Sequence, residues 1–424
     1  MLFEKATQQT FILGFDLRDD YCQISYYEDK LQGSVREPST FSLVPGQERF
    51  NIPTALAKEA GGPKWYAGED AVRMSGEGAI FLPRLLSIAR EGSPVNVDGQ
   101  EVEASALLSL FINRCLGFMS GIMKPEEIEV IMFTSRHMDR RMIEVLESVR
   151  ERLRLECDIY YEDYANSFYN FLLTQHKVIR EPAVILCEYE FGEKMRVGKL
   201  SYNLRTRPVV AYYEEKSYPG LFSEDDAGKD AEFLRILHEQ MDGGNYSGAF
   251  LIGSGFYGGW MHRSIGFLCS GRRAFLGSNL YSKGAAYGAL FRVRPPEDAD
   301  KYFFLDSNKL RANISINLLR RGEIDFHTLV DAGANWYEVR RTEDIILEES
   351  NELDLVLSPL TGGTPEEYSI YLTDLPVREG RVTRLQLRFT MTAPDKVLLR
   401  IIDLGFGEIF PGTGLKWEKT ITIK

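Results

Sequence analysis

The chain begins with short apolar runs of strand length that are separated by polar turns. Residues 11–15 form the first run, the charged triplet 18–20 interrupts it, and a strand-like pattern resumes at Tyr21. Two strands joined by a tight polar turn are the expected structure. The same order recurs further on, where an apolar strand at 183–187, an acidic turn and a strand at 195–204 follow one another.

Helical spacing of apolar residues alternates with buried strands over the following part of the chain. Apolar strands are predicted at 128–133 and 248–252. The predicted helices span residues 104–119, 139–155, 166–173, 225–241, 260–269 and 283–290. The last of these helices is rich in small residues, so it can approach other backbone closely. Strands that alternate with helices predict an α/β domain.

The pattern changes at the proline pair Pro295-Pro296, which a charged stretch follows. We place a domain boundary here, with one domain at 1–298 and a second at 302–424. The second domain is predicted to be an all-β sandwich, because short alternating strands dominate it and turn residues separate them. These strands span residues 311–318, 325–330, 353–357, 368–372, 384–391, 397–403 and 420–423.

Composition and charge narrow the class of protein. The 424 residues carry a formal net charge of −12, which argues against binding to nucleic acid or to anionic membranes. The 5 cysteines and 5 histidines are scattered without metal-ligand spacing, which favours a reducing, cytoplasmic location and no metal site. The early polar residues argue against a signal peptide, and the lack of a long apolar run argues against a membrane span.

The order of the segments in the first domain resembles the nucleotide-binding domain of the seventy-kilodalton heat-shock chaperones, within the actin and sugar-kinase superfamily. The similar segments are the first phosphate loop at 11–25, the strand and turn at 51–57 and 66–71, the connecting segments at 130–141 and 162–169, the second phosphate loop at 183–200, the adenosine loop at 250–255 and the closing helix at 283–290. The resemblance implies an actin-like α/β fold made of two ribonuclease-H-like halves.

The second domain resembles the β-sandwich substrate domain of the same chaperones. Residues 303–306 stand where that family keeps its apolar interdomain linker. The residues that carry the likeness are Leu375-Pro376, Gly380, 384–389, 397–403, Thr413-Gly414 and 420–423. The resemblance therefore covers nearly the whole chain, and it implies a divergent bacterial branch of the family.

The resemblance also implies a nucleotide site in which carboxylates hold magnesium-bound water. It assigns ATP or ADP binding to Asp16, Arg18, Glu162, Glu188, Gly192, Gly253, Ser254, Gly255 and Tyr257. The residues by themselves leave two other interpretations open. The acids can form the polar floor of a cleft that binds no ligand, and residues 253–255 can be a plain turn between a strand and a helix.

Both phosphate loops depart from the family's pattern where the chemistry takes place. In the first loop, Arg18, Asp19 and Asp20 replace a glycine and threonines, and in the second loop residues 188–192 keep a single glycine. The family's catalytic lysine would fall near Pro83 and is lost. A triphosphate beside these acids meets repulsion of about 1 kcal/mol or more for each like charge at a few ångströms.

Two segments are also shorter than in the chaperones. Residues 205–248 leave room for a helix and loops, where the family has a subdomain that closes over the adenine. The residues after 423 leave no room for the helical lid that covers bound peptide. We therefore expect a nucleotide cleft that lacks one wall and a substrate domain without a lid.

These departures favour a protein that binds another protein or an extended peptide through the β-sandwich and that hydrolyses ATP weakly or not at all. No catalytic residue is assigned. Magnesium with ATP or ADP is the cofactor that the resemblance implies, and the altered loops argue against it. The alternative is an active ATP-dependent chaperone. A filament-forming or carbohydrate-phosphorylating protein is a third class, in which the β-sandwich has no place.

Overall fold

Two units make up the computed structural model, which describes residues 10–29, 37–223, 225–348, 350–360 and 363–423. The units are residues 1–304 and 305–424. The predicted boundary lay slightly earlier, and Tyr302 belongs with the first unit because its strand joins a sheet there. Residues 1–9, on which the expectation of no signal peptide rests, lie outside the described residues.

The strands of the first unit include those predicted near residues 11–15, 128–133, 183–187, 195–204 and 248–252. In chain order they are β1 Thr10–Leu17, β2 Tyr21–Asp29, β3 Ser39–Thr40, β4 Ile52–Pro53, β5 Leu56–Lys58, β6 Trp65–Ala67, β7 Ile80–Leu82, β8 Val95–Val97, β9 Gln100–Val102, β10 Ile128–Ser135, β11 Asp158–Asp163, β12 Ala183–Glu188, β13 Met195–Asn203, β14 Val209–Tyr218, β15 Gly248–Ile252, β16 Arg273–Gly277 and β17 Tyr302–Leu305.

The helices of this unit include the six predicted ones, with ends that differ from the predicted positions by up to three residues, and three further short ones. They are α1 Glu69–Ser75, α2 Leu85–Glu91, α3 Ala104–Phe118, α4 Arg140–Leu153, α5 Tyr164–Leu173, α6 Lys177–Arg180, α7 Asp226–Met241, α8 Arg263–Cys269 and α9 Leu280–Val293, with 3-10 turns at Pro125–Glu127, Ser254–Phe256 and Ala299–Lys301. Aspartates begin several of them, because a carboxylate can accept the unpaired backbone N–H groups of a first turn. Asp139 accepts from Met142 at 2.8 Å, and Asp163 accepts from Asn166 at 2.9 Å.

The large sheets of the first unit repeat one strand order. The first sheet runs β11-β10-β1-β2-β3, with β4 also paired to β2, and the second runs β16-β15-β12-β13-β14-β17. In each sheet the strand that opens a hairpin, β1 or β12, pairs antiparallel with its successor and parallel with a later strand. Asp16 near the end of β1 and Glu188 at the end of β12 therefore occupy corresponding places.

Helices α5 and α9 lie between the two sheets. We call them exchanged, because each packs on the sheet that it does not follow in the chain. Helix α5 follows the first sheet in the chain but packs on the second, where the rings of Phe168 and Phe250 lie 5.7 Å apart. Helix α9 follows the second sheet but covers Ile12 and Val130 of the first. The two helices also pack against each other, which joins the sheets through a shared core.

Close approach of backbone at Gly284 makes this arrangement possible. A Cβ atom built at Gly284 of α9 would lie 2.0 Å from the backbone oxygen of Ser167 in α5. Real atoms do not approach so closely, so any larger residue would push the helices apart. The prediction of close approach by this helix is confirmed.

Part of the first unit differs from the sequence-based expectation. Residues 205–248 were expected to hold a helix and loops, but they also form β14, which extends the second sheet. Its residues Tyr212 to Lys216 are mostly exposed and polar, so local sequence gives little sign of a strand. Helix α2 begins at Leu85, directly after Arg84, whose backbone is left-handed with a φ of 55°.

The second unit consists mainly of two antiparallel four-stranded sheets, ordered β19-β18-β21-β22 and β20-β23-β24-β27. Its strands are β18 Ala312–Arg320, β19 Glu323–Val330, β20 Arg340–Leu347, β21 Glu352–Pro359, β22 Glu366–Tyr371, β23 Thr383–Ala393, β24 Lys396–Asp403, β25 Gly405–Phe406, β26 Phe410–Pro411 and β27 Lys416–Thr422, with a 3-10 turn at Trp336–Glu338. Alternate residues such as Leu385, Leu387 and Phe389 are fully buried, which is the pattern of a sheet with one covered face.

We predict that the substitution Gly284→Ala lowers the free energy of unfolding by about 3 kcal/mol or more, because the new methyl group meets backbone that cannot turn away. Gly266→Ala is the matched control. Gly266 lies mid-helix in α8, and a Cβ atom built there meets nothing within 4 Å. Alanine at this position should therefore raise the free energy of unfolding, by about 1 kcal/mol at most. Urea unfolding followed by circular dichroism measures both, and equal stability of the two variants would contradict the prediction.

Candidate functional site

A cleft of about 430 Å³ lies where the carboxyl ends of β1 and β10 in the first sheet face the end of β12 in the second. Ligands of open α/β sheets bind outside such strand ends. The cleft is lined by Leu17, Arg18, Asp19, Asp20, Tyr21, Leu86, Arg90, Ser135, Arg136, His137, Tyr164, Glu188, Glu190, Phe191, Glu193, Arg196 and Ser254.

Arg18 lies at the centre of this cleft, among carboxylates from both sheets. Its guanidinium lies 3.0 Å from Asp16, 3.8 Å from Glu188 and 3.8 Å from Glu190. It also lies over the ring of Tyr21, 4.8 Å from the centroid. Burial raises the pKa of Asp16, although Arg18 opposes this effect. One cation thus serves three carboxylates, of which Asp16 and Glu188 are buried and Glu190 is partly exposed.

Arg136 is a second cation in the cleft, and it leaves the first sheet directly after β10. It pairs with Glu188, and its guanidinium lies 3.6 Å from Glu215 of β14. Burial alone would raise the pKa of Glu188, but Arg136 and Arg18 outweigh it and lower that pKa below its usual range. Glu188 is therefore a buried, ionised acid that depends on two arginines.

Tyrosine hydroxyls complete the hydrogen bonding of these acids. Tyr164 donates to Asp16 at 2.5 Å, and Tyr281 donates to Glu188 at 3.0 Å. Their rings, at the first turns of α5 and α9, stack with centroids 3.8 Å apart. Burial raises the pKa of both tyrosines well above the usual value, so both stay protonated donors. Tyr21 donates to Glu190 at 3.0 Å in the same way.

Glu190 fastens the turn after β15 to the hairpin of the second sheet. Its carboxylate accepts from the backbone N–H of Ser254 at 2.9 Å and from the hydroxyl of Ser254 at 2.6 Å. Gly253 has a φ of 109°, and a Cβ there would lie 2.3 Å from the backbone oxygen of Tyr189. The turn can therefore reach Glu190 only with glycine at position 253. The carboxylate of Glu190 therefore already uses the N–H and hydroxyl donors of Ser254.

The balance of charge in the cleft does not favour an anion. Four arginines line it, and so do five carboxylates, with Asp16 buried beside them. The acids in the lining are Asp19, Asp20, Glu188, Glu190 and Glu193. Among the described residues, no group of three or more histidine, cysteine or acidic side chains is arranged to hold a metal ion.

The structure brings together some of the residues that the sequence assigned to nucleotide binding. Arg18, Glu188 and Ser254 line the cleft and Asp16 lies beneath Arg18, whereas Gly255 is buried against Tyr189. The other residues, Glu162, Gly192, Gly253 and Tyr257, do not line it.

Each of these other residues has a different environment. Glu162 accepts hydrogen bonds from Ser167 and Asn170 of α5, at 2.6 and 2.9 Å. Gly192 turns the hairpin of the second sheet, with a φ of 82°. Tyr257 is 53% exposed.

Sequence reasoning missed most of the partners in the cleft. Arg136, Arg196, Tyr164, Tyr281 and Glu190 were not assigned to the site. Arg136 had a usable signal, since it directly follows a predicted buried strand that is parallel to β1, and such strand ends meet at one edge. Tyr281 had none, because it meets Glu188 across 93 positions of sequence.

A second candidate site lies in the second unit, where β18 and β21 separate. They pair from Ala312 to Ser315 of β18, and among the described residues this pairing goes no further. Beyond that point a groove of about 650 Å³ opens between the two sheets. It is lined by Ile316, Asn317, Leu318, Leu319, Asp344, Ile345, Ile346, Leu347, Glu348, Glu352, Leu353, Asp354, Val356, Glu367 and Arg381.

Comparison with protein families identifies both units. Residues 37–307 match the model described as the C-terminal part of a family of unknown function, DUF5716. The chain belongs to the DUF5716 family. Residues 309–423 match a domain of unknown function, DUF8552. A search of curated proteins found no match for this DUF5716 family member. In the described part of the chain, no helix is both long and apolar enough to cross a membrane.

We predict that Glu188→Gln lowers the free energy of unfolding by about 3 kcal/mol at pH 7, because it leaves Arg136 and Arg18 short of a buried counter-charge. A carboxylate whose folded pKa is depressed stabilises the fold above its unfolded pKa and loses that effect as the pH falls. The difference between variant and wild type should therefore shrink below about pH 4.5.

Urea unfolding at pH 7 and at acidic pH measures this difference. Glu144→Gln is the control, since Glu144 is an exposed partner of Arg140 in α4 and its loss should cost about 0.5 kcal/mol or less. A difference between Glu188→Gln and wild type that stays constant with pH would contradict the prediction.

Proposed function

We propose that this protein is a binding module for other proteins, with an actin-like first unit that neither binds nor hydrolyses ATP efficiently and a chaperone-type β-sandwich that holds the partner. The observation that carries the first part is the position of Arg18, whose guanidinium lies within 3.8 Å of carboxylates from both sheets. A positive side chain and its acids fill the place that the resemblance gives to magnesium and phosphates.

The strand order supports the resemblance to the chaperone family. The repeated sheets of the first unit, with the exchanged helices α5 and α9 between them, are what two ribonuclease-H-like halves would give. The two antiparallel sheets of the second unit suit a β-sandwich. The five cysteines are free thiols, which suits the cytoplasmic location that we propose.

Loss of nucleotide binding follows from what the cleft already contains. Phosphate loops bind anions through backbone N–H groups, and here the Ser254 N–H is bonded to Glu190 instead. An incoming triphosphate would also meet an excess of carboxylates in a partly buried cleft. Each such charge costs about 1 kcal/mol or more, and Arg18 is already engaged by three of them.

The groove of the second unit suits an extended partner segment. Where β18 and β21 separate, Ile316–Leu319 of one strand and Leu353 of the other offer backbone to a new strand and apolar side chains to its alternate residues. This mode of recognition, strand addition, takes affinity from backbone hydrogen bonds and specificity from side-chain pockets.

Charge in the groove favours a basic partner. Its lining carries the acids Asp344, Glu348, Glu352, Asp354 and Glu367, against one cation, Arg381, which pairs with Glu348 at 2.9 Å. Complementary charge raises the association rate and selects among partners. We therefore propose an extended, apolar segment with lysine or arginine as the ligand.

The second candidate function is an active ATP-dependent chaperone. It is favoured by the cleft itself, which keeps about 430 Å³ of space and the strand-end carboxylate Glu188, with Asp16 beneath it. In that case nucleotide would have to displace Arg18 from its carboxylates. The two candidates differ in their response to magnesium-ATP.

We predict that millimolar magnesium-ATP leaves the melting temperature of the full chain unchanged. A ligand at a hundredfold its dissociation constant would add about 2.7 kcal/mol of stability. Differential scanning fluorimetry makes the comparison, with magnesium chloride alone as the control. A rise of several degrees with magnesium-ATP would favour the active chaperone instead.

We predict that a fluorescent peptide of alternating leucine and lysine binds the full chain with a dissociation constant on the order of micromolar. The same peptide with glutamate in place of lysine should bind at least about tenfold more weakly. Fluorescence anisotropy measures both, with and without magnesium-ATP, which should make no difference.

Two lysine substitutions locate the binding surface. Glu352→Lys places a like charge in the groove and should weaken the lysine peptide about tenfold or more. Glu408→Lys is the matched control, because Glu408 is exposed and does not line the groove. Equal weakening by both substitutions, or equal affinity for the two peptides, would rule out the groove as the site.

A further inference from the structure

We infer that Arg18 and Arg136 act as a permanent clamp that holds the two sheets of the first unit together across the cleft without any ligand. This inference rests on the proposed loss of nucleotide binding, and it goes further by assigning a structural role to the charged side chains in the cleft. The clamp adds to the connection that α5 and α9 make and fixes the relative position of the two sheets.

The direction of the ion pairs carries the inference. Both arginines belong to the first sheet, Arg18 in the turn after β1 and Arg136 in the segment after β10. Arg18 bonds to Asp16 of its own sheet at 3.0 Å, and the other acids that the two arginines contact, Glu188, Glu190 and Glu215, come from the second sheet. The hydrogen bond from Tyr21 to Glu190 crosses in the same direction. These contacts between arginines of the first sheet and acids of the second draw the two sheets together.

Burial makes these contacts hard to exchange for water. The side chains of Arg18 and Arg136 are 17% and 21% exposed, and that of Glu188 is 5% exposed. In such surroundings a charge that loses its partner is poorly compensated by solvent. Separation of the sheets would leave Glu188 without either arginine. Only Arg196 of its own sheet, at 4.0 Å, would then remain near Glu188, so the closed arrangement compensates this buried charge better.

The floor of the cleft shows where such an opening would have to start. The stacked rings of Tyr164 and Tyr281 begin the exchanged helices α5 and α9, and each donates to one of the strand-end acids. Arg136 lies over Tyr164, 4.9 Å from the centroid of the ring. The two arginines thus lie at the first turns of α5 and α9, where the helices join the sheets. We therefore expect them to resist rotation of one sheet relative to the other about this point.

Hydrogen exchange of the full chain, followed by mass spectrometry, tests the clamp. In Arg18→Met we expect amide exchange to accelerate about tenfold or more in the turn 189–194 and at Ser254, on the sheet opposite the substitution. Arg136→Met should accelerate the same amides. Exchange in α3, which packs away from the cleft, should stay as in the wild type.

A graded variant and a control make the result decisive. Arg18→Lys keeps one charge but cannot contact three carboxylates, so its rates should fall between wild type and Arg18→Met, and it tests the clamp even if Arg18→Met fails to fold. Arg140→Met is the matched control, since Arg140 is exposed and pairs with Glu144 of its own helix at 3.0 Å.

The clamp would be overturned if the amides of the 189–194 turn exchanged at the wild-type rate in both Arg136→Met and Arg18→Lys. Slower exchange of the wild type on addition of magnesium-ATP would instead overturn the proposed loss of nucleotide binding. The two failures are thus distinguished, because the first compares variants without nucleotide and the second compares one protein with and without it.

Discussion

The contact between α5 and α9 is the constraint on which the first unit depends. Each helix covers the sheet that the other one follows in the chain, so the sheets can share a core only if the helices touch. Gly284 allows this contact by leaving space for the backbone oxygen of Ser167. The same contact brings the first residues of the helices, Tyr164 and Tyr281, together at the floor of the cleft. Packing in the core therefore sets the geometry of the site.

The chemistry of the cleft follows from that geometry. Corresponding strand ends bring Asp16 and Glu188 into one buried space, and two acids so placed need cations. Arg18 and Arg136 supply them from the chain itself. Carboxylates that a fold brings together need positive partners, and here the side chains of Arg18 and Arg136 take that part. We regard this exchange as the basis of the function that we propose.

Local pattern was enough for elements with strong periodicity. Helix α4 could be read from Met142, Val145, Leu146 and Val149, which face one side, and Asp139, which caps it. Strand β14 could not, because its exposed polar residues carry no period-two signal and its pairing with β13 and β17 in the sheet makes it a strand. In the cleft, Asp16 and Glu188 were accessible to sequence reasoning since each ends an apolar run. Arg136 and Tyr281 were missed because their role depends on how two sheets face each other, which no local pattern records.

The repeated strand order has a consequence for how the cleft can change over generations. Strands β1 and β12 carry corresponding acids near their carboxyl ends, Asp16 and Glu188. Arg18, in the turn after β1, contacts both of them. Replacing Arg18 alone would take one partner from three carboxylates, and replacing Glu188 alone would take one partner from both arginines. Each first step away from the present arrangement is therefore unfavourable by itself, although several steps together need not be. The residues of the two turns are therefore coupled, and a change in one of them is tolerated best together with a change in its partners.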